Sequence, residues 1–215
     1  MADKQFAQAL YEQLKQDIRD NKLPQGVALK QEELATQYGV SRIPIRDVLQ
    51  KLKNDGWLTA CGKRGVMVSP LNAQQAADLS LMRQYLEPLI LGFAMQHLNH
   101  SVLGQAADVL AELDKSPMTV SRYGELNWQF HACLYQPAQR PTLFNTIEGL
   151  HQLCSRYIGF HAIELAYDNT SQHEHYQLLE ALQNKQVTRA QTILKNHISK
   201  ASEQLIPHLI KYLRA

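Results

Sequence analysis

The sequence predicts a mainly α-helical chain in which a small unit of three helices and a β-hairpin precedes an all-α bundle of six helices. Three observations predict it. Apolar residues recur at helical spacing from Phe6 onward. That period breaks once, between Trp57 and Ser69, around a glycine-flanked turn. After Leu71 no strand signal returns. The change of pattern divides the chain into residues 1–70 and residues 71–215.

Phe6, Leu10, Leu14 and Ile18 form an i, i+4 ridge that predicts a helix from Phe6 to Asp20, and Pro24 and Gly26 turn the chain after it. A second helix fits Gln31 to Tyr38, with Leu34 and Ala35 facing inward and Gly39 as a left-handed stop. Ser41 then stands as N-cap of a third helix, which tolerates Pro44 in its first turn and continues its apolar face through Ile45, Val48, Leu49 and Leu52. After Asn54-Asp55-Gly56, the segments Trp57–Cys61 and Val66–Ser69 read as strands around Gly62-Lys63-Arg64-Gly65. Three short helices and a hairpin in about 70 residues make a winged helix-turn-helix. Asn72 can cap a long helix running to Leu98 and bent at Pro88. Five more helices fit Ser101–Lys115, Thr119–Tyr135, Pro141–Tyr167, Thr170–Gln183 and Val187–Leu213, with breaks at Pro117, Pro137 and Asp168-Asn169.

Composition excludes several classes. With 215 residues, 45% hydrophobic and 20% charged, the chain is neither disordered nor fibrous. No apolar run approaches a membrane-spanning length, so no membrane partner is expected. The opening MADKQFAQAL lacks the basic-then-apolar order of an export signal. Cys61, Cys133 and Cys154 are odd in number and form no C-x-x-C pair. Neither a disulfide framework nor a thiolate zinc knuckle is expected, and a cytoplasmic location is. The net charge of +2 combines +3 through Pro70 with −1 beyond it, which permits nucleic-acid binding without requiring it.

The position of the positive groups says more. Ser41 and Arg42 stand at the front of the third helix, where a groove-reading helix meets bases and phosphate, and Arg46 lies one turn on along the same face. Arginine carries the fork that grips guanine O6 and N7 together, which lysine lacks. Lys63 and Arg64 at the hairpin tip are placed for phosphate or the minor groove. Lys30 and Lys51 are weaker backbone contacts, and Trp57 is a core anchor between helix and hairpin. The stretch GVSRIPIRDVLQKLKNDGWLTACGKRGVMV, Gly39 to Val68, resembles the DNA-binding domain of the GntR superfamily. The helical remainder is similar to the FCD effector domain of the FadR-type branch, in the shorter six-helix, VanR-like form. The resemblance implies that Arg42 and Arg46 contact operator bases and that the wing, Gly62 to Gly65, approaches the minor groove. Glu32 stands where some members carry a further DNA-contacting arginine.

In the helical part, Asn127 and His131 are four apart in NWQFH and share a helix face, while His175 and His197 fall on the last two helices. Imidazoles from facing helices can bind a divalent metal, though nine histidines in the chain leave spacing alone indecisive. The resemblance implies more: such domains use an aspartate, a histidine four later, and two further histidines. His131, His175 (in EH-x-x-L-L-x-A-L) and His197 match, for Zn, Ni or Mn. Asn127 replaces the aspartate with an uncharged amide oxygen, so it is a ligand or yields its place to water. His173 should face elsewhere. Arg83, in MRQYLEPLILGFA, either helps hold an anionic effector or pairs with Glu87. His151, Arg156, Tyr157 and His161 can wall the same cavity, His151 or His161 even as an added ligand. Cys133 and Cys154 read as structural thiols.

The resulting expectation is a homodimeric DNA-binding regulator, a repressor of operators with inverted-repeat half-sites, tuned by a small carboxylate metabolite at the metal. Two rivals remain open. A metal-dependent hydrolytic enzyme lacks a clearly placed general base, and an architectural DNA-binding protein would have a purely structural bundle.

Overall fold

The computed structural model describes residues 2–63, 65–115, 118–165 and 168–212. The side chains of 2–4, 120, 156, 158–165, 168–169 and 212 are not among those described. The chain divides into two compact units, Met1–Leu71 and Asn72–Ala215.

In the first unit, helices α1 (Ala2–Arg19), α2 (Gln31–Gln37) and α3 (Arg42–Asn54) precede strands β2 (Leu58–Cys61) and β3 (Gly65–Val68). The hairpin pairs Leu58 with Val68 and Cys61 with Gly65. A two-residue strand β1, Ala28–Leu29, adds to the free edge of β3 and gives the antiparallel order β1-β3-β2. That strand was not expected, because two residues carry no period and only the exposed edge of β3 defines it. Leu10, Leu14, Ile18, Ile45, Leu49, Leu52 and Trp57 meet in one core, each burial contributing roughly 1.5–3 kcal/mol. Trp57 is 1% exposed and anchors that core as expected. Phe6 does not join it and stays 49% exposed. An i, i+4 ridge advances about 40° per step on a 3.6-residue helix, so by Phe6 it has left the buried face that Tyr11 shares instead. Tyr11 donates to Asp55 (2.6 Å) and Tyr38 to Asp17 (2.6 Å), tying α1 to the ends of α3 and α2. Gly39 takes φ +65° and turns the chain from α2 toward α3.

The second unit contains six α-helices among its described residues: α4 (Ala73–Ala94), α5 (His100–Leu113), α6 (Val120–Tyr135), α7 (Pro141–Leu165), α8 (Asp168–Gln183) and α9 (Val187–Tyr212), with a 3-10 turn at Gln136–Ala138. This is the winged helix-turn-helix plus six-helix bundle that the sequence predicts. Asn72, Asn99 and Thr119 cap α4, α5 and α6, each side-chain oxygen accepting a backbone N–H three residues on. α4 stops at Ala94 rather than Leu98: the chain turns at residues 95–97, where His97 N–H donates to Ala94 O (2.8 Å), before Asn99 caps the next helix. Leu91 and Ala94 of α4, Phe130 and Leu134 of α6, and Leu194 and Ile198 of α9 belong to the bundle core. No helix of the described residues is long and apolar enough to cross a membrane.

Candidate metal centre and nucleic-acid interface

His131 of α6, His175 of α8 and His197 of α9 come together although 66 positions separate the first from the last. Helices α8 and α9 form a hairpin through Asn184–Gln186, where Lys185 takes φ +56°. His175 lies eight residues before the end of α8 and His197 ten after the start of α9. At about 1.5 Å per residue, the two therefore sit at similar depth. Their ring centroids are 4.7 Å apart, and His131 lies 5.2 Å from His175 and 5.7 Å from His197. One nitrogen from each falls within 4.8 Å of the other two. Tetrahedral nitrogens about 2.1 Å from one ion lie about 3.4 Å apart, so small torsional adjustments would close the site.

Hydrogen bonding decides which nitrogen each ring offers. Tyr135 donates its proton to Glu87 Oε2 (2.6 Å), so its oxygen accepts from His131 Nδ1 at 3.1 Å. Gln172 spends its amide protons on Leu110 O and Asp114 Oδ1, leaving its carbonyl oxygen to accept from His175 Nδ1 at 3.3 Å. Glu174 accepts from His197 Nδ1 (2.9 Å) with one oxygen and from Lys200 (2.8 Å) with the other. Each outer partner is an acceptor, so each ring carries its proton on Nδ1 and keeps the Nε2 lone pair for a metal. Nε2 of His131 and of His175 is buried with no hydrogen-bond partner. Leaving such atoms orphaned is costly, and a bound cation satisfies them. Burial pushes both imidazoles well below their usual range, keeping them in the neutral, metal-binding form. Burial alone would raise Glu174, but hydrogen bonds from His197 and Lys200 hold it at about 2. Asn127 is buried on α6, one turn before His131.

The outer shell continues into α4. Glu87, 0% exposed, accepts from Arg83 Nε (2.5 Å), His151 Nε2 (2.9 Å) and Tyr135. Burial pushes its carboxyl up, but Arg83 and His151 outweigh that and hold it well below the carboxylate range. The Arg83–Glu87 pair considered from sequence is thus formed. Arg83 also bounds a cavity of about 60 Å³ with Ser80, Cys154, Tyr157 and Ser202, room for about four waters or one small carboxylate. None of the three histidines lines that cavity; the Arg83–Glu87–Tyr135–His131 chain connects the two. His151 lies 5.6 Å from His131 but is not one of the converging three. His173 is exposed, as expected. The side chains of Arg156 and His161 lie outside the described residues. Sequence reasoning missed Tyr135, Gln172 and Glu174; their spacings from the histidines (i+4, i−3, and across α8–α9) become informative only once the histidines are grouped.

In the first unit, α2, α3 and the hairpin border a groove of about 810 Å³. Arg42, Arg46, Lys53, Lys63 and Lys30 line it, with Gln50, Gly62, Gly65 and the acidic Glu32 and Glu33. Arg42 is exposed and the Arg46 side chain is 64% exposed, steadied by the neighbouring Asp47 at 3.1 Å. Ser41 occupies the N-cap with extended backbone but makes no side-chain cap bond, so its Oγ does not occupy the helix N–H groups. Gly62 takes φ +61°, and a Cβ on Gly65 would stand 2.6 Å from the Cys61 carbonyl oxygen, so both glycines are required by the hairpin itself. Lys51 bonds to Gln8 of α1 (2.9 Å) and covers the Tyr11 ring, a role inside the fold. Arg64 lies outside the described residues. Gln50 and Lys53 were missed; they extend the Arg42–Arg46 face by one and two further turns.

Comparison with known proteins follows the same division. The family described as "FCD domain" matches residues 78–200, and "Bacterial regulatory proteins, gntR family" matches residues 6–68. The Nta operon transcriptional regulator of Aminobacter aminovorans is 25% identical over 84% of this chain and 85% of its own length. The HTH-type transcriptional repressor RspR of Escherichia coli (strain K12) is 24% identical over 92% of this chain and 88% of its own. A GntR-family transcriptional regulator from Pseudomonas syringae pv. tomato str. DC3000 superposes with a TM-score of 0.59 at 29% identity, covering 95% of this chain and 88% of that one.

Proposed function

The chain belongs to the GntR-family regulators that carry an FCD effector domain, and from that premise we propose a homodimeric, metal-dependent repressor whose operator affinity is set by a small organic acid. It is a DNA-binding transcriptional regulator rather than an enzyme, as its relatives are. Within the family we place it in the six-helix, VanR-like subgroup, acting in the cytoplasm. The observation that carries the metal part is the convergence of His131, His175 and His197, with orphaned Nε2 atoms on the first two. Nitrogen donors without a carboxylate favour zinc or nickel over manganese, with Asn127 or water completing the shell. When bound, the ion supplies positive charge and open positions for a carboxylate.

The protein's own groups then do the rest. Arg83 attracts the acid, and its link through Glu87 and Tyr135 to His131 joins anion site and metal site in one network. Tyr157 lines the same small cavity, donates to Gln75 Oε1 (2.7 Å) and accepts from Asn72 N–H (3.3 Å) at the start of α4. An acid that displaces Tyr157 changes how the second unit begins, next to the link with the DNA-binding unit. Repression is relieved only if the acid prefers that displaced arrangement. Dimerisation is assigned to α4, whose Leu81, Tyr85, Leu89 and Phe93 are exposed at four-residue spacing. A two-fold dimer then reads inverted-repeat half-sites with Ser41, Arg42, Arg46, Lys63, Arg64 and the backbone at Gly62 and Gly65.

The test is fluorescence anisotropy with a duplex enriched from a random pool by the zinc-loaded protein. Two- to six-carbon carboxylates are added one at a time, with and without a chelator. One acid weakening binding only in the zinc-loaded protein is the expected result. Binding indifferent to every acid and to chelation would leave the bundle a structural element alone.

A further inference from the structure

The solvent-facing side of α3 contains a residue that the protein's own fold does not explain. Ile45, Val48, Leu49 and Leu52 are buried along one side of α3. At about 100° per residue, Ile43 projects from the opposite side, together with Gln50 one heptad later. It is 65% exposed, as exposed as any large apolar side chain in the described residues. It is also a β-branched residue, a poor choice for a solvated helix position. Its neighbours are Arg42, one residue earlier, and Arg46, one turn later, both lining the basic groove. A bare aliphatic group flanked in sequence by two arginines, on the exposed side of the first turn of the helix assigned to base edges, needs an apolar counterpart. The major groove offers one such group: the 5-methyl of thymine.

We propose that Ile43 is a specificity-determining residue, contacting a thymine 5-methyl group in each half-site beside the guanines gripped by Arg42 or Arg46. The arginines fix register through charge and the guanine edge. Ile43 then distinguishes T from C at the neighbouring position, which cationic side chains do poorly. Because the side chain is mostly exposed, its removal should leave the fold intact.

The experiment uses the full chain and the duplex it enriches from a random pool, with each dT replaced singly by dU, which deletes only the methyl. A fully buried methyl corresponds to about a fourfold change in affinity. One dT per half-site should therefore show about a fourfold loss on conversion to dU. Ile43→Ala should bind the dT and dU duplexes equally, at the affinity the unmodified protein has for dU, and Ile43→Val should keep part of the discrimination. Circular dichroism of both variants should match the parent. The proposal is overturned if no dU position matters, or if Ile43→Ala keeps the full dU sensitivity. It is equally overturned if Ile43→Ala weakens all duplexes alike, which assigns the side chain to the sugar-phosphate backbone. A parent chain that enriches no sequence at all fails differently, by removing sequence-specific DNA binding itself.

Discussion

Glu87 provides the sharpest energetic test of the bundle interior. Its carboxylate is fully buried and accepts from Arg83, His151 and Tyr135. Glu87→Ala leaves the Arg83 guanidinium, 12% exposed, without its counter-charge, and strips an acceptor from a ring N–H and a hydroxyl. Breaking a buried pair by removing one partner costs about 3–5 kcal/mol, and the two stranded donors push the expected loss toward the upper end. Replacing both charges, Arg83→Met with Glu87→Met, removes more polar atoms yet should cost far less, because no uncompensated charge remains. The folded pKa of Glu87 is depressed, so its stabilisation is fully present above the ordinary value of 4.5 and fades as pH falls below it. Measurement at pH 7 captures all of it. Of the two tryptophans, Trp57 lies in the first unit and Trp128 in the second. Urea unfolding in a Trp57→Phe background, with chelator present, therefore reports the bundle alone. A loss below about 1 kcal/mol for Glu87→Ala, or a double variant no more stable than the single, would refute the reasoning.

Other predictions follow from the same geometry. His175→Ala should abolish stoichiometric zinc retention, read by elemental analysis after dialysis, while a wing-type DNA probe is still bound; unchanged stoichiometry removes His175 from the ligand set. Asn127→Asp should raise zinc affinity at least about tenfold in chelator competition, since one added charge near a divalent ion outweighs its burial, and no gain would turn Asn127 away from the ion. Arg46→Ala should cost about 1–3 kcal/mol at one operator position and relax preference there, whereas Lys63→Ala should weaken all sequences and flatten the salt dependence by about one unit. Tyr85→Glu with Leu89→Glu should halve the mass in sedimentation velocity if α4 forms the dimer face.

Local pattern carried much of this far. The apolar face of α3, the cap Asn72 and Trp57 as an anchor are all local signals, readable within one or two turns. Phe6 shows where the same reasoning overreaches: the i, i+4 ridge is real, but which part of it is buried depends on what lies against α1. β1 was illegible for the same reason, existing only because β3 presents an open edge.

The sequence by itself determined the helices, the hairpin and the faces on which arginines and histidines stand, because those depend on periods of two and 3.6 residues along one segment. Only the tertiary structure decided that Tyr135, Gln172 and Glu174 orient the three imidazoles, and that Glu87 links Arg83 to His131. Glu174–His197 joins α8 to α9 and Tyr135–Glu87 joins α6 to α4, and a partner on another helix has no fixed distance along the chain; Tyr135 and Gln172 share a helix with their histidines, but nothing marks them until the three rings are grouped. Burial then does what sequence cannot foretell: it makes each unpaired nitrogen costly enough to demand a partner.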